Sequence, residues 1–456
     1  MKQILDQFIL KTNKLDKILI VLIFFFPLLL SLTIFGADLS ATLVAIIILF
    51  LIVSKKEISV FYEIKKQIYF FFIFYALIIL SLIFSISFKT SFLPSFFYIR
   101  YFLFILGIFY LLKKYDFVDK ILLYSLSLTF IIVISDSIYQ LLFLKNFFGY
   151  PATYAGVPLP KEGEMYIITS FFNDEKKLGS YLIRLLPLLV SLFYYFNLKK
   201  LSYLYFAITG IIIFYTSERT ALFLLVTFLF FYFLIIKNKI KFIIFCSLIL
   251  AILFTFNTPL RFKYLNYTLM QLGIIETKWN AQDGNIVRYY SKEHEDLSYT
   301  ALQIFKKNIL TGSGIKSFYK ACNNLKQNKL SKNDQENELL KKNIINKASF
   351  FDRNNKLKCS THPHNFYAQI LSDTGILSFI FILLLLISIL LNNIKIIFKK
   401  NLNNLDLFFY FLNVGIILNL FPLIPSGNFY NNWISLIIFY PLGFWLFINQ
   451  KRKGNE

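Results

Sequence analysis

Charged residues are scarce in this sequence of 456 residues: they make up 16%, whereas 57% of the residues are hydrophobic. So few charges on so apolar a chain exclude a soluble globular domain. The apolar residues form continuous runs without the alternation of a barrel strand, and a bilayer core needs about 20 such residues per helix. The sequence therefore predicts an all-α polytopic membrane protein with one large, partly helical loop.

The basic excess does not indicate a nucleic-acid partner, although the formal net charge is +23. Lysine and arginine mostly flank the apolar runs or lie in one loop, where topology and anionic lipid explain them better. No small-residue cleavage site follows the lysines of the amino terminus. We therefore expect a retained first helix and no signal peptide.

Cysteine is also rare, with three residues in the chain. Cys246 lies in an apolar run, whereas Cys322 and Cys359 both lie in the large polar loop. If that loop lies outside the cytoplasm, these two can form a disulfide. Two unpaired thiols are the alternative, and the sequence does not decide between them.

The apolar runs predict about twelve transmembrane helices. They lie near residues 18–35, 39–53, 68–88, 92–112, 121–144, 178–196, 201–215, 220–236, 242–256, 366–391, 405–424 and 433–448. The predicted organisation is nine helices within 1–256, with a loop at 145–177, then a large loop at 257–365 and three helices within 366–456.

Every second short loop is rich in lysine, whereas the intervening turns at 36–38 and 425–431 have no lysine or arginine. By the positive-inside rule, both termini are cytoplasmic and the two long loops face the other side. The larger loop has 18 Lys and Arg against 9 Asp and Glu, a net charge of +9, which suits anionic partners. Its stretch 291–318 has helical periodicity ending at a Gly-Ser-Gly turn, and 323–358 is polar and low in complexity.

Arginine inside or beside an apolar run is costly in lipid and marks a candidate functional position. Arg219 lies in a polar turn between two short apolar runs, so we expect it to be recessed below the membrane surface. A snorkelling interfacial arginine is the alternative. Arg184 lies about 10 Å into its helix and should face a polar cavity, or else form an ion pair with Glu175 or another carboxylate.

The motif Ser-Thr-His-Pro-His-Asn at 360–365 leads into an apolar helix. His364 lies at the helix start, where the dipole disfavours an imidazolium, which predicts a neutral imidazole able to accept a proton. Gly375 lies eleven residues later on nearly the same face, where a glycine permits close approach of another helix. His362 and His364 could instead bind a metal, but no third ligand of suitable spacing is evident.

These motifs resemble those of the bacterial O-antigen ligases and O-antigen polymerases, which share a membrane domain. The turn at 217–219 is similar to the family's Ser-Arg turn, except that Glu218 intervenes. Arg288 resembles the arginine that opens the family's periplasmic loop helix. His364 followed by Gly375 reproduces the family's histidine and glycine spacing.

The resemblance implies a metal-independent, inverting glycosyl transfer without a cofactor. An undecaprenyl-diphosphate-linked glycan would be the donor, and the acceptor would be a sugar hydroxyl of the lipid A core or a similar glycan. The active site would be periplasmic, in a bacterial inner-membrane protein. His364 would be the general base, and Arg219 and Arg288 would stabilise the diphosphate leaving group. Further substrate-binding candidates are Arg184, Lys176 and His362.

Other functions stay open on the sequence alone. A polymerase would use a second lipid-linked repeat unit as acceptor, and the sequence does not separate it from a ligase. A transporter or flippase also has about twelve helices, but no predicted helix is broken by paired Gly or Pro at mid-depth. A non-catalytic scaffold with a binding loop would tolerate loss of His364.

Overall fold

The computed structural model describes residues 2–54, 59–154, 166–236, 239–275, 287–288, 290–327, 356–422 and 424–454. Regular structure in these ranges is helical apart from one short antiparallel pair, β1 (Thr153–Tyr154) with β2 (Tyr166–Ile167). The predicted all-α class is confirmed for this part of the chain.

The helices follow one another along the chain with mostly short connections. They are α1 (Lys2–Lys11), α2 (Lys14–Leu32), α3 (Ile34–Val53), α4 (Ser59–Tyr62), α5 (Lys65–Ile83), α6 (Phe88–Phe96), α7 (Ile99–Lys114), α8 (Val118–Phe143), α9 (Leu178–Tyr195), α10 (Lys199–Thr216), α11 (Arg219–Ile235), α12 (Lys239–Phe256), α13 (Thr258–Tyr264), α14 (Asn266–Gln271), α15 (Lys292–Lys307), α16 (318–327), α17 (Phe366–Ile397), α18 (Asn404–Asn419) and α19 (Asn432–Lys453).

Eight spans in the described ranges are long and apolar enough to cross a membrane, counting α6 and α7 together. A ninth results if α12 and the sharply bent α13 and α14 form one span. Helices α11 and α18 are apolar but have 17 and 16 residues, or about 24–26 Å, against a bilayer core of about 30 Å. The chain is a polytopic membrane protein, but the predicted number of about twelve spans is not confirmed.

The predicted helix limits differ from the structure at two places. The break between the first two predicted helices falls at Thr33 instead of 36–38, because Thr33 is both the C-cap of α2 and the N-cap of α3. Its hydroxyl accepts a hydrogen bond from the Gly36 amide at 3.4 Å. The predicted span at 92–112 lies within the single apolar span Phe88–Lys114, which consists of two helices, α6 and α7, with a turn at residues 97–98.

Helix α9 lies at the centre of the bundle, where every residue from Tyr181 to Tyr194 is buried. It packs against α18 and α10, and Gly415 of α18 lets the two helices approach at Pro187. The Tyr181 hydroxyl donates to the carbonyl of Pro27 at 2.6 Å. These contacts fix the amino-terminal end of α9. This end carries Arg184 and the backbone amides of Gly179 and Ser180, which belong to the candidate site.

The large loop is docked on the helix bundle through the turn at 309–314. The Ser313 and Gly314 amides donate to the carbonyls of Ser372 and Asp373, each at 2.8 Å. Helix α15 begins next to its cap Ser291 as predicted, but it ends at Lys307, before the Gly-Ser-Gly turn. Most of the polar stretch predicted at 323–358 lies outside the described residues.

Gly375 is a kink in α17, with a φ of 77°. The helical ladder breaks there. His364 lies before the N-cap Asn365, outside the helix, so the predicted helix face shared by His364 and Gly375 is wrong. A close approach does occur, but its partner is the loop: a Cβ on Gly375 would lie 2.2 Å from the Leu310 carbonyl oxygen. The amide of Ile376, freed by the kink, donates to the carbonyl of Ile309 at 2.9 Å.

Candidate functional site

All three histidines of the protein lie together. The ring centroids of His362 and His364 are 4.1 Å apart, and the ring of His294 is 5.9 Å from that of His364. His294 lies in the first turn of α15, and sequence reasoning did not single it out. The sequence offered one indication of His294, which is that histidine is rare in this chain. Nothing in the sequence indicates that positions 294 and 364 lie close together.

The backbone around His364 is fixed on both sides. Asn365 caps α17 by accepting hydrogen bonds from the amides of Tyr367 and Ala368, each at 3.0 Å. The Asn365 amide group also donates to the carbonyl of Pro422 at 2.7 Å. The predicted position of His364 at a helix start is confirmed, and its φ of 56° is the left-handed conformation of a residue leaving a tight turn.

Burial keeps the histidines neutral near physiological pH. It lowers the pKa of His294 and of His362 to about 4 in each case. Burial also lowers the pKa of His364 from its usual 6.5; the Glu293 carboxylate opposes this shift and the Lys358 ammonium adds to it. The direction agrees with the predicted neutral imidazole, but the main cause is desolvation and not the helix dipole.

Metal binding by His362 and His364 is the alternative to a role as base. Within the described ranges, no group of three or more His, Cys, Asp or Glu side chains is placed to hold a metal ion. The Nδ1 atom of His294 is instead 2.6 Å from the Ser291 hydroxyl, and Nδ1 of His362 is 3.0 Å from the Thr361 hydroxyl. These contacts orient the rings of His294 and His362 through a neighbouring hydroxyl.

Arg219 approaches this cluster from the first residue of α11. Its guanidinium carbon lies 5.5 Å from the ring centre of Tyr267 and 5.6 Å from that of Tyr290. The Tyr290 ring in turn is 4.8 Å from that of His294, so Tyr290 lies between the arginine and the histidines. Among the described residues, no carboxylate forms an ion pair with Arg219, and its guanidinium donates to the Thr268 hydroxyl at 3.4 Å.

Glu218, the middle residue of the turn at 217–219, caps the start of α9. Its carboxylate accepts hydrogen bonds from the amides of Gly179 at 2.7 Å and Ser180 at 3.0 Å. Glycine is needed here, because a Cβ at Gly179 would lie 2.7 Å from the Thr216 hydroxyl. Burial raises the pKa of Glu218 to about 7, and these two amides and the Arg184 charge oppose that rise.

Arg184 is buried one turn further along α9, with 2% of its surface exposed. Its guanidinium donates to Asn419 Oδ1 at 2.8 Å and to the Ser180 hydroxyl at 3.1 Å. Glu175 pairs with Lys177 and not with Arg184. The Glu218 carboxylate, in contrast, interacts electrostatically with Arg184, so the alternative of a carboxylate partner stays open for Glu218. Arg184 therefore occupies a polar site between the start of α9 and the end of α18.

Arg288 is bound to the loop helix. Its guanidinium forms an ion pair with Glu295 of α15 at 2.8 Å, and 6% of the side chain is exposed. Its amide donates to the carbonyl of Leu272 at 2.9 Å, which joins α15 to the end of α14. Lys176 is exposed, and its charge repels that of Lys263, as the charge of Arg219 also does.

A disulfide holds the segment that carries the histidines. Cys322 of α16 is bonded to Cys359, and their Cα atoms are 5.5 Å apart. Of the two open alternatives, the structure contains the disulfide. Since Cys359 precedes His364 by five residues, the bond ties the histidine segment to the loop helices.

Four helices begin around this group of side chains: α9, α11, α15 and α17. Helix amino termini carry partial positive charge and favour anions such as phosphate. The fold and the site thus define a polytopic membrane protein with a docked polar loop over a group of arginines and neutral histidines. Such a site suits transfer of a group from an anionic leaving group to an acceptor that loses a proton.

The comparison with protein families agrees with this class. Residues 204–383 of the chain are similar to the family Wzy_C, described as O-antigen ligase. The family implies glycosyl transfer of the ligase or polymerase type in surface polysaccharide synthesis. The matched segment includes Arg219, Arg288, His364 and Gly375. A search of curated proteins finds no significant match.

Proposed function

We propose that the protein transfers a glycan from undecaprenyl diphosphate to the sugar hydroxyl of an acceptor, with inversion and without a metal. The acceptor is the lipid A core or a similar glycan in the ligase form of this proposal. The observation that carries it is a continuous group of side chains that leads from the neutral His364 through His294 and Tyr290 to the guanidinium of Arg219, where helix amino termini meet. His364 and Arg219 both lie in the segment that matches the family.

The reaction follows from this arrangement. The imidazole of His364 accepts the proton of the acceptor hydroxyl, and the acceptor oxygen forms a bond to the anomeric carbon. The bond from that carbon to the diphosphate oxygen breaks on the opposite face, and the diphosphate leaves with the electron pair. General-base catalysis of this kind contributes roughly 10²- to 10⁴-fold in rate.

The arginines have different tasks in this proposal. Arg219 is only partly buried and makes the direct contact with the diphosphate, because a guanidinium binds phosphate oxygens in a bidentate way. Arg184 adds fixed positive charge from its buried position in α9, where Asn419 and Ser180 hold its guanidinium. Arg288 positions α15, and with it His294, through its ion pair with Glu295.

Two further candidates have supporting roles in this proposal. His362 packs on His364 and would contact the acceptor, whereas the exposed Lys176 would attract the anionic donor at longer range. The loop would cover the substrate, since α15 supplies His294 and Tyr290 lies just ahead of that helix.

We also propose that this loop is periplasmic and that both termini are cytoplasmic in a bacterial inner membrane. The lysine-rich short loops support this orientation by the positive-inside rule. The disulfide between Cys322 and Cys359 supports it independently, because such bonds persist in oxidising compartments.

The test is a gel of surface glycolipids and lipid-linked intermediates from a deletion strain. The strain is complemented with the wild type, with His364→Ala, or with the matched control Lys356→Ala at an exposed position of the same segment. We expect the wild type and the control to restore the profile and His364→Ala to leave lipid-linked glycan accumulating. Long chains beside bare core would identify a ligase, and single repeats a polymerase.

Full complementation by His364→Ala at wild-type protein level would contradict the proposed base. A transporter or a scaffold would then account better for the protein, because neither needs a proton acceptor at this position.

A further inference from the structure

An apolar cleft of about 430 Å³ lies between two pairs of helices, α5 with α17 and α7 with α19. None of the arginines and histidines of the candidate site lines it. Aromatic stacks form its walls: the rings of Phe71 and Phe102 are 4.0 Å apart, and those of Phe70 and Phe381 are 4.2 Å apart. The cleft is therefore a formed apolar site on the membrane-embedded part of the protein.

Two lysines line the same cleft, Lys66 at the start of α5 and Lys453 at the end of α19. Neither forms an ion pair with a carboxylate in the described part of the chain. Neighbouring cations are compensated, since Lys113 pairs with Glu63 at 2.9 Å and Arg452 with Asp406 at 3.1 Å. An apolar cleft with two cations at one end matches an amphiphile with an anionic head.

The length of the cleft matches one membrane leaflet. Ile438 and Lys453 both line it, and fifteen residues of helix α19 correspond to about 22 Å. A bilayer with its headgroups is about 40–45 Å thick, so one leaflet is about 20–22 Å. A lipid that lies along α19 with its head at Lys453 would thus have its chains in the apolar part of the cleft.

We propose that the cleft binds one anionic phospholipid, with its phosphate between Lys66 and Lys453 and an acyl chain against Phe74, Phe381 and Leu442. The lysines attract the phosphate, and the aromatic walls bury the chain. This lipid is a structural ligand that joins two pairs of helices. The proposal does not rest on the proposed glycosyl transfer.

The test is native mass spectrometry of the purified, delipidated protein with phosphatidylglycerol or phosphatidylcholine of the same chain length. We expect one phosphatidylglycerol to be retained in preference to phosphatidylcholine. Lys66→Gln and Lys453→Gln should each weaken that binding about fivefold, and the double variant about thirtyfold, at about 1 kcal/mol per lysine. The matched control is Lys65→Gln with Lys451→Gln, which removes two charges from the same helix ends outside the cleft.

A second variant tests the apolar part. Ser388→Trp places a bulky side chain in the cleft and should reduce retention of the lipid while both lysines remain. Equal retention by the double lysine variant and its control, or equal retention of the two phospholipids, would overturn the proposal. It would also be overturned if undecaprenyl phosphate displaced phosphatidylglycerol at equal concentration, because the cleft would then be a site for the polyprenyl lipid.

Discussion

Gly312 and Gly375 meet where the large loop enters the helix bundle, and neither position has room for a side chain. A Cβ on Gly312 would lie 2.4 Å from the carbonyl carbon of Asp373, and a Cβ on Gly375 would lie 2.2 Å from the Leu310 oxygen. Both glycines have positive φ, of 67° and 77°. The loop is thereby locked to α17, the helix that His364 precedes.

Gly375→Ala should therefore separate the loop from α17. The clash and the positive φ together should cost about 2–4 kcal/mol of folding stability. Glycan transfer should be lost even in protein that is still inserted. The measurement is thermal unfolding of purified protein, together with the glycolipid gel.

Gly210→Ala is the matched control for this substitution. Gly210 lies inside helix α10, and its Cβ would lie 3.5 Å from the nearest atom of Leu225 of α11, an ordinary contact. Alanine should be neutral or slightly stabilising there. A Gly375→Ala protein that unfolds at the same temperature as the control would show that the loop is not locked at this point.

Glu218 should act as a helix cap and not as a catalytic acid. Glu218→Ala removes both acceptors from the Gly179 and Ser180 amides and should cost about 1–2 kcal/mol. Glu218→Gln keeps one acceptor and should retain most of the activity and stability. Glu175→Gln, which changes an exposed carboxylate nearby, is the control. Inactivity of Glu218→Gln in stably folded protein would instead assign this carboxyl a role in proton transfer.

Much of the helical layout was predictable because apolar runs report burial in lipid directly. The errors arose where a single side chain decides a boundary, as Thr33 does between α2 and α3. The docking of the turn at 309–314 on the Gly375 kink was not predictable, because it depends on carbonyl and amide groups freed by a break in α17. Periodicity alone predicts a continuous helix there.

The sequence predicted several residues of the candidate site, but it did not predict which partners they contact. Rare arginines and the His-Pro-His motif marked Arg184, Arg219 and His364, because charge is costly near lipid. The partners were not evident from sequence, since Arg184 binds Asn419, which lies 235 positions away. Likewise, His294 meets His364 only through the docking of α15.

The disulfide between Cys322 and Cys359 should stabilise the loop more than the helix bundle. Closing a loop with a sequence separation of 37 typically contributes about 2–4 kcal/mol. Cys322→Ser should lower protection of the α15 and α16 amides in hydrogen exchange, while helices α9 and α18 stay protected. The variant Cys246→Ser, outside the loop, is the control. Equal loss of protection in all four helices would show that the bond supports the whole fold.

The pH dependence of transfer should respond in opposite directions to the two charges next to His364. The base must be neutral, so the rate should fall as the pH drops through the pKa of His364, which burial and Lys358 lower and Glu293 raises. Glu293→Gln removes the group that raises this pKa. It should move the acidic limb of the pH–rate profile, where the rate falls with falling pH, to lower pH. Lys358→Gln removes a group that lowers it and should move the limb to higher pH.

The measurement is the initial rate of transfer by purified protein from a lipid-linked donor, between about pH 4 and 8, around the ordinary histidine pKa. Because the Lys358 and Glu293 side chains are 2.5 Å apart, the double variant should return towards the wild-type profile. Lys306→Gln changes the net charge equally at the far end of α15 and should leave the limb in place. A limb that moves in the same direction for both single variants would show that another group is the base, because these two charges act on His364 with opposite sign.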